Sequence, residues 1–478
     1  MGTVGLKFGS ATSGQGFDVT STVNQIVTNL QSVETPWKNQ LSTLHSRDSA
    51  LSSLGTQLST LTTDLQNLSD FSGVLASKTG SSSDTNVLNL TSASAAAVAG
   101  THTVTVQNLA QTSSAASDAV GASDALTGSI TFKVGSADWQ TVSVGDGSTS
   151  PTLSGLAVAI NSAGLGVTAN VLTNADGTAR LSLVSQASGA AGQITIANST
   201  NNPASPTTLA DSTTPDKNVG LGISTIQDGV DASFTVDGVS LTSGSNTVTN
   251  AIHGVTFQLL STGSSGSGGE TVQVVIDNNT SSIESAINTL VSDYNATMKA
   301  INAQEGNDSS GNREPLFGTS VLAQLQQGLQ SALTMTFGSG KINSLISLGI
   351  SASASADGTI TLDSNALDNA LNNNFAQVVS FFQDAGSFGW SFAKTLEGLG
   401  NNSGAYGAIS LALSEDSSQE HALNDDISKQ ETLIDTQKTN LTAELNQANE
   451  ILQAIPAQIQ QVNEMYSAIT GYNSKQNG

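Results

Sequence analysis

Apolar side chains recur every seven residues at both ends of this chain. The N-terminal series is Val23, Leu30, Trp37, Leu44, Leu51, Leu58 and Leu65, and the C-terminal series is Ile427, Ile434, Leu441, Ala448, Ile455, Val462 and Ile469. Such a repeat forms one stripe along a long helix, which needs a partner helix to bury it. Helices at opposite ends of one chain can meet only if the middle folds out as an insertion. The repeats therefore predict a rod of α-helical coiled coil or bundle that both chain ends build together.

The N-terminal stripe is divided by a proline. Asp18 to Thr20 is suited to cap a first helix, and Thr35-Pro36 is predicted to interrupt it, because the residue before a proline avoids helical angles. A second helix is predicted from Pro36 to Leu68, where leucines are spaced by three and four residues. The part of the stripe from Leu41 to Leu68 fits an ordinary bundle within one domain as well as it fits a coiled coil.

The C-terminal stripe predicts one helix from about 415 to 470, roughly 80 Å long if it is continuous. Pro456 predicts a kink or a break, although Ile455 and Ile459 keep the stripe across it. Gln and Asn are frequent on the other faces, which favours a helix that packs into a larger assembly. The predicted oligomer and filament contacts are the stripe residues Val23, Val27, Leu30, Ile427, Ile434, Leu441, Ile455, Ile459, Val462 and Ile469.

Between the two ends, alternating apolar and polar residues predict short β-strands. The segments are 87–90, 102–106, 130–134, 142–144, 180–184, 193–196, 232–236, 239–241, 255–259 and 272–276. Asp237-Gly238 predicts a type I′ turn, Asp357-Gly358 a further hairpin, and Leu153 to Ala163 a short helix. Residues 197–220, rich in Pro, Ser, Thr and Asn, are predicted to be a linker. The fold class is therefore α+β multidomain, with antiparallel β-rich head domains inserted into a terminal helical rod.

These patterns also suggest where the domains begin and end. Further helices are predicted at 283–294, 321–333 and 365–382. The predicted division is terminal coiled-coil legs at 1–40 and 416–478, a helical bundle with a small β-hairpin at 41–80 and 278–415, a β-rich head domain at 81–112 and 221–277, and an inserted outer head domain at 113–220.

Composition excludes several classes of function. The net charge is −24, from 38 acidic and 14 basic residues, with no basic cluster, which excludes nucleic acid as a partner and disfavours anionic membranes. There is no cysteine, so disulfides and thiolate chemistry are excluded. Residues 1–10 lack the apolar core of a cleaved secretion signal, and no run approaches the ~20 apolar residues of a membrane span. We expect a cytosolic protein or one that leaves by a route without such a signal.

No catalytic, metal or cofactor site is predicted. His45, His102, His253 and His421 fall in separate elements without paired spacing, so they predict no zinc site. Gly338-Ser-Gly-Lys341 lacks the upstream glycine and the Ser or Thr of a phosphate-binding loop, and no nucleophile elbow is present. The carboxylate pairs Glu415-Asp416 and Asp425-Asp426 are predicted to lie on a solvated helix face. The sequence therefore does not predict an enzyme.

Several motifs resemble those of bacterial flagellar filament cap proteins, the flagellar hook-associated protein 2 family. The resemblance covers nearly the whole chain. It rests on Gly16-Phe-Asp-Val19 with Glu34-Thr-Pro36, on Ala99-Gly-Thr-His-Thr-Val-Thr-Val-Gln-Asn-Leu-Ala110, and on the segments 234–239, 252–259 and 348–363. His102 stands where the family commonly has an aromatic residue. The C-terminal helix departs from the family in containing Pro456 and in lacking a Phe-rich stretch.

A second signature lies in the inserted region. Leu153–Asn161, Gly166–Asn170 and Arg180–Ser185 resemble the repeat found in flagellins and hook-associated proteins. The two resemblances imply a structural protein that leaves through the flagellar type III route and caps the filament tip. They imply a ring-like homo-oligomer of commonly about five subunits, which binds flagellin, directs its polymerisation and prevents loss of exported monomers. The export apparatus and its chaperone would be further partners. Few aromatics and no cysteine suit a chain that unfolds for export.

Two other classes remain open. A surface adhesin would use the β head at 113–220 to bind glycans of a host or matrix, and Trp139 is the aromatic platform that the sequence offers for this. Glycan binding by the head would favour this alternative. A glycosidase or protease at the filament tip is the enzyme alternative, and it lacks a recognisable site.

Overall fold

The chain folds into two compact units, and its ends lie in the same one. The computed structural model describes residues 16–145, 147, 149–212, 221–263, 269–400 and 407–470. The helical unit takes the described residues of 1–69 and 284–478, and the β unit takes those of 70–283. The middle of the chain is therefore an insertion between terminal helices, and the predicted α+β multidomain class is confirmed. Across the described ranges, no helix has both the length and the apolar content that crossing a membrane requires.

Most helices belong to the helical unit. The helices are α1 (Val19–Gln31), α2 (Thr35–Ser69), α3 (Leu153–Ala163), α4 (Thr280–Ala303), α5 (Ser320–Leu333), α6 (Ser364–Asn373), α7 (Phe375–Gln383), α8 (Phe388–Leu399) and α9 (Ala408–Thr470), with α3 in the β unit. The leucine stripe of α2 is buried at Leu44, Leu51, Leu54, Leu58, Leu61, Leu65 and Leu68. This stripe packs against α7, α8 and α9, so it forms the core of the bundle.

Proline affects these helices less than the sequence predicts. α9 is one helix of 63 residues with Pro456 inside it, so the predicted break is wrong. A proline removes a single backbone donor, and the many hydrogen bonds on both sides maintain the helix. Between α1 and α2 the chain makes only a 3-10 turn at Ser32–Glu34, because Pro36 lies in the first turn of α2, where its missing N–H is not needed.

Short strands make up the β unit. They are β1 (Lys78–Ser82), β2 (Leu88–Ala93), β3 (Gly100–Asn108), β4 (Thr112–Ser117), β5 (Val120–Gly121), β6 (Leu126–Val134), β7 (Gln140–Val144), β8 (Val167–Thr173), β9 (Thr178–Ser188), β10 (Ile194–Ile196), β11 (Ala210–Asp211), β12 (Ile223–Gln227), β13 (Ala232–Val236), β14 (Val239–Ser243), β15 (Thr247–Thr249), β16 (Val255–Leu259) and β17 (Glu270–Asn278). The small hairpin β18 (Ile350–Ala352) and β19 (Ile360–Leu362) belongs to the helical unit. The recorded strand pairs are antiparallel.

A first β core lies between two sheets. The sheet of order β1-β17-β3-β13-β14 and the sheet of order β15-β16-β2 bury one continuous apolar cluster. At its centre the rings of Phe234 and Phe257 meet edge to face, 6.0 Å between centroids. At one edge, Asp237 and Gly238 both have positive φ, as the predicted type I′ turn requires. His102 Nδ1 lies 2.7 Å from Asp237 Oδ2, so a polar contact ties β3 to this turn.

A second β core is built from residues 115–221. One sheet contains β10, β6, β11 and β7, the other contains β12, β4, β9, β5 and β8, and α3 packs on β7, β8 and β9. The side-chain amide of Asn161 accepts from Ala169 N at 2.7 Å and donates to Ala169 O at 2.8 Å, which joins α3 to β8.

The predicted linker at 197–220 is wrong for the part that the structure describes. Leu209 is buried in the second β core, and β11 pairs with β6. Proline and polar residues dominate the segment, but it is held by buried Ala197 and Leu209, by the pairing of β11 and by backbone hydrogen bonds to β6 such as that from Thr208 N to Ser129 O at 2.9 Å. Residues 213–220 of this predicted linker lie outside the described residues, as do 1–15 and 471–478 of the predicted legs.

Gly254 is needed where the chain enters β16. Its φ is +71°, and an added Cβ would lie 2.6 Å from Ser94 Oγ and 2.8 Å from Ala97 N. We expect Gly254→Ala to lower the free energy of unfolding by more than about 1 kcal/mol, since both strain and overlap oppose it. Gly100→Ala is the matched control, because nothing lies within 4 Å and no positive φ is recorded there. Equal denaturant midpoints for the two variants would contradict this assignment.

Candidate assembly surface on the terminal helices

The two chain ends run antiparallel along each other, in a register that polar contacts define. Phe17 N donates to Asn449 Oδ1 at 2.9 Å. Three side-chain contacts continue the register, namely Lys38 Nζ–Glu431 Oε1 at 3.7 Å, His45 Nε2–Glu420 Oε1 at 3.2 Å and Arg47 Nη2–Asp416 Oδ1 at 3.1 Å. As residue numbers rise along α1 and α2, those of their partners on α9 fall. The terminal helices therefore form one antiparallel packing within the helical unit.

Local sequence determines how this packing begins. Asp18 is the N-cap of α1, and its Oδ1 accepts from Ser21 N at 3.0 Å, which satisfies a backbone donor of the first turn. Val19 and Val23 are then buried, and Val27 and Leu30 are half-buried. Of the predicted contact residues on α1, the first is therefore used for packing within the chain, and the other two are partly covered.

The predicted contact residues on α9 divide into three groups along the helix. Ile427 and Ile434 are buried, and Leu441 and Ile455 are half-buried. Ile459, Val462 and Ile469 are exposed, at 41%, 59% and 83%. The stripe thus changes along α9 from a packed seam at Ile427 and Ile434 into a solvent-facing surface at Val462 and Ile469.

Residues 450–470 of α9 extend beyond Asn449 for roughly 30 Å at 1.5 Å per residue. Sequence reasoning missed three exposed apolar side chains on this extension, Ile451, Met465 and Tyr466. They lie off the strict seven-residue register, but a count of apolar residues at helical spacing would have found them. We call Ile451, Ile459, Val462, Met465, Tyr466 and Ile469 the distal α9 surface.

Charge is buried within the packed part of the seam, against the prediction of a solvated face. The Asp416 side chain is completely buried beside Arg47, so the reading of Glu415-Asp416 as a solvated pair is wrong for Asp416. Burial raises the pKa of the Asp416 carboxyl, against the lowering effect of the Arg47 guanidinium. Glu34 is also buried, and its Oε2 lies 2.7 Å from Lys38 Nζ, which raises the pKa of that ammonium group. A formal charge in the sequence does not reveal that its helix position faces inward.

Of the other residues considered for chemistry, His45 lies in this seam against Glu420, whereas Lys341 and Trp139 lie elsewhere. Among the described residues, no cluster of three or more His, Asp or Glu side chains is placed to hold a metal ion. Gln377 Oε1 accepts from Lys341 N at 2.7 Å, so the glycine-containing turn is tied to α7. Trp139 is half-buried, with Lys133 Nζ 5.1 Å from its ring centroid, so a cation already occupies one ring face.

These features define a multidomain α+β protein in which the N-terminal helices α1 and α2 pack against the C-terminal helix α9. Residues 15–113 match the family described as flagellar hook-associated protein 2 N-terminus, and residues 229–474 match the corresponding C-terminus. The C-terminal match alone covers more than half of the chain. This chain belongs to the flagellar hook-associated protein 2 family.

Individual relatives agree with this assignment. The chain is 27% identical over 268 residues to the B-type flagellar hook-associated protein 2 of Pseudomonas aeruginosa, a match covering 54% of this chain and 55% of that protein. It is 28% identical over 210 residues to the polar flagellar hook-associated protein 2 of Vibrio parahaemolyticus, covering 43% of this chain and 30% of that protein. The chain thus matches about half or less of the length of these relatives.

The fold also has a solved counterpart. The D1-D2-D3 domains of the flagellar cap protein FliD from Escherichia coli superpose with a TM-score of 0.56 at 23% identity, over 77% of this chain and 99% of that one. At this identity the likeness concerns the fold.

Proposed function

We propose that this protein caps the distal tip of the bacterial flagellar filament, where it directs flagellin polymerisation and prevents loss of exported monomers. Membership of the hook-associated protein 2 family and a fold shared with a flagellar cap protein support this role. The observation that carries it is the distal α9 surface. Apolar side chains there are exposed on the part of α9 that follows Asn449, the residue that Phe17 contacts just before α1 begins.

The physical argument concerns what can cover such a surface. At least half of the side chain is exposed to solvent at five positions of this surface, namely Ile451, Val462, Met465, Tyr466 and Ile469. The same helix buries Ile427 and Ile434 nearer its N-terminus. An amphipathic helix gains about 1.5–3 kcal/mol for each large apolar side chain that a partner removes from water. Helical segments of flagellin at the filament end would provide such a partner. The distal α9 surface is then the part of each leg that engages the filament.

Further features of the proposal follow from the family assignment. The subunits form a ring-like homo-oligomer of about five copies, exported by the flagellar type III route with the help of the export apparatus and a chaperone. The legs are 1–40 and 416–478, the bundle is 41–80 and 278–415, and the head is formed by 81–112 with 221–277 and by the insert 113–220. The packed residues Val23, Ile427 and Ile434 hold each leg together, and the exposed ones contact the filament.

A charge-matched pair of variants tests the leg assignment. We expect Val462→Asp with Ile469→Asp to weaken attachment to the filament at least tenfold, because about 1.5 kcal/mol or more is lost per side chain and 1.4 kcal/mol is a factor of ten. Swimming speed and filament length should fall, and flagellin monomer should accumulate in the medium. Both side chains are exposed, so circular dichroism should show an unchanged fold.

The control adds the same charge at two exposed polar positions with the same seven-residue spacing but on the opposite face of this helix segment, Gln453→Asp with Gln460→Asp. It should retain normal filaments. Leu441 and Ile455 are less suitable targets, because they are half-buried and their substitution also perturbs packing within the chain. Normal filament growth with the Val462 and Ile469 variant would show that the distal α9 surface does not engage the filament.

A further inference from the structure

The small hairpin of the helical unit has two edges that differ in their hydrogen bonding. At its two ends, Asp363 N donates to Gly349 O at 2.9 Å and Ser353 N donates to Thr359 O at 2.8 Å. Residues of an antiparallel pair alternate between bonding across the pair and pointing their N–H and C=O groups outward. Ala352 directly precedes the bonded Ser353, so its backbone groups point away from β19.

One edge of the hairpin is closed and the other is open. On the β19 side, the side-chain amide of Asn295 in α4 donates to Ile360 O at 2.8 Å and accepts from Ile360 N at 2.7 Å, as a neighbouring strand would. On the β18 side, Ile350 N donates to Leu345 O at 2.9 Å. The N–H and C=O groups of Ala352 have no hydrogen-bond partner among the described residues, and Ala352 is exposed. One backbone donor and one acceptor are therefore open at the edge of β18.

A groove with a volume of about 530 Å³ lies along this open edge. It is lined by residues 350–353 and by the apolar side chains of Leu333, Leu345, Ile346 and Ile360. The other lining residues are Ala, Gly, Ser, Thr and Gln, so the lining carries no charge in a chain with 38 acidic and 14 basic residues. The volume lies within the range of roughly 300–1,000 Å³ that is typical of ligand sites. The open edge thus adjoins a space that can accept uncharged side chains.

We propose that β18 and this groove bind an extended segment of another polypeptide by strand addition. The segment pairs with Ala352 through two backbone hydrogen bonds, and its apolar side chains at alternate positions fill the groove. It is uncharged over the paired stretch, because a charged side chain would lose its hydration against a lining that offers no opposite charge. Ile346 is 70% exposed in the free chain and becomes covered when the segment binds.

A second copy of β18 is a poorer occupant than a segment with larger side chains. β18 has the sequence ISA, and the side chains of Ser351 and Ala352 are too small to fill about 530 Å³. Val, Leu or Ile at alternate positions would bury more apolar area in the same space. The occupant is therefore an extended segment in which such residues alternate with Ser or Thr. This site does not include the distal α9 surface, so it does not depend on the capping role.

Titration calorimetry of the full chain with the capped peptide acetyl-Ser-Val-Thr-Leu-Thr-Val-Ser-amide tests the site. Two derivatives of this peptide, N-methylated at one or the other alternate set of amides, are matched controls, because only one set faces β18. We expect one derivative to bind like the parent peptide and the other at least about tenfold more weakly. Hydrogen exchange at the Ala352 amide should slow when the parent peptide is bound. Absence of binding by the parent peptide, or equal affinities of the two derivatives, would overturn the proposal.

A pair of proline variants tests the open donor. Ala352→Pro should weaken binding of the parent peptide at least about tenfold, because proline is tolerated in an edge strand but cannot donate. Ala354→Pro is the matched control. Ala356 N donates to Ser353 O at 3.4 Å, which makes Ala354 the second residue of a turn, where proline is favoured. This control should retain the affinity of the unmodified chain.

A pair of aspartate variants tests the groove and serves if Ala352→Pro does not fold. Ile346→Asp places a charge in the uncharged lining and should weaken binding at least about tenfold. Leu411→Asp adds the same charge at a position of α9 that is 55% exposed and outside the groove, and it should bind normally. Unchanged affinity of a folded Ala352→Pro or Ile346→Asp variant would contradict the assignment. Dimerisation of the free chain that Ala352→Pro abolishes would also contradict it, because a second copy would then occupy the edge.

Discussion

Ile434→Ala is expected to lower the free energy of unfolding of the helical unit by about 2–5 kcal/mol, the usual cost of removing a buried isoleucine side chain. Ile434 is 3% exposed and lies close in sequence to Glu431, whose carboxylate contacts Lys38 of α2. The truncation leaves a cavity in the seam where α9 packs against the N-terminal helices. Thermal or urea unfolding followed by circular dichroism at 222 nm would measure the loss, since helices dominate that signal.

The distal part of the same stripe provides the control for this prediction. Ile459→Ala removes the same atoms from a side chain that is 41% exposed, so we expect a change within about 0.5 kcal/mol. The two substitutions thus separate the packed from the free part of one seven-residue series. Similar losses for both variants would mean that the distal α9 surface is packed in the isolated chain, contrary to the structure.

Phe257→Ala is expected to lower the free energy of unfolding of the β unit by about 3–5 kcal/mol, because a fully buried ring is lost from a core that contains few of them. The edge-to-face contact with Phe234 adds to the area that the ring buries. Hydrogen exchange would reveal the loss as faster exchange in β3, β13 and β16. Amides of α2 and α9 should keep their protection, since these helices belong to the other unit.

Val239→Ala provides a matched control in the same unit. Val239 is 62% exposed at the start of β14, directly after the turn, and its truncation should leave exchange in the sheets nearly unchanged. If Phe257→Ala also exposed the helical amides to exchange, the two compact units would unfold together. The division of the chain into separately stabilised units would then be incorrect.

Sequence alone located those elements whose signal is local. The bounds of α3 agree with the predicted Leu153–Ala163, because a capping Thr152 and an apolar face mark its start and a left-handed Gly164 marks its end. The strands 232–236 and 255–259 agree as well, since alternation between Phe or Val and polar residues is unambiguous over five positions. The terminal helices followed from long periodic stripes in the same way.

Elements held by distant contacts were missed. β4 has the sequence TSSAAS, without a large apolar residue, yet Ser113 is fully buried and its Oγ accepts from Ile194 N at 3.0 Å. The predicted helix at 365–382 is two helices, α6 and α7, that meet at Asn374, and α8 was not predicted. Periodicity reports on a helix face, whereas the identity of its neighbours depends on the tertiary fold.

The entry and exit of the β unit are clamped side by side. β1 pairs with β17 from Lys78 opposite Asn278, and Asn279 N donates to Ser77 O at 3.0 Å. A second clamp lies within it, where Gln111 and Val230 bridge each other close to the limits of the two family matches. Each clamp fixes the ends of what it encloses, and the entropic cost of closing a loop grows only slowly with loop length. The region between 111 and 230 is therefore enclosed as a cassette, and a change in its length would cost little loop-closure entropy and leave the register of the clamped strands unchanged.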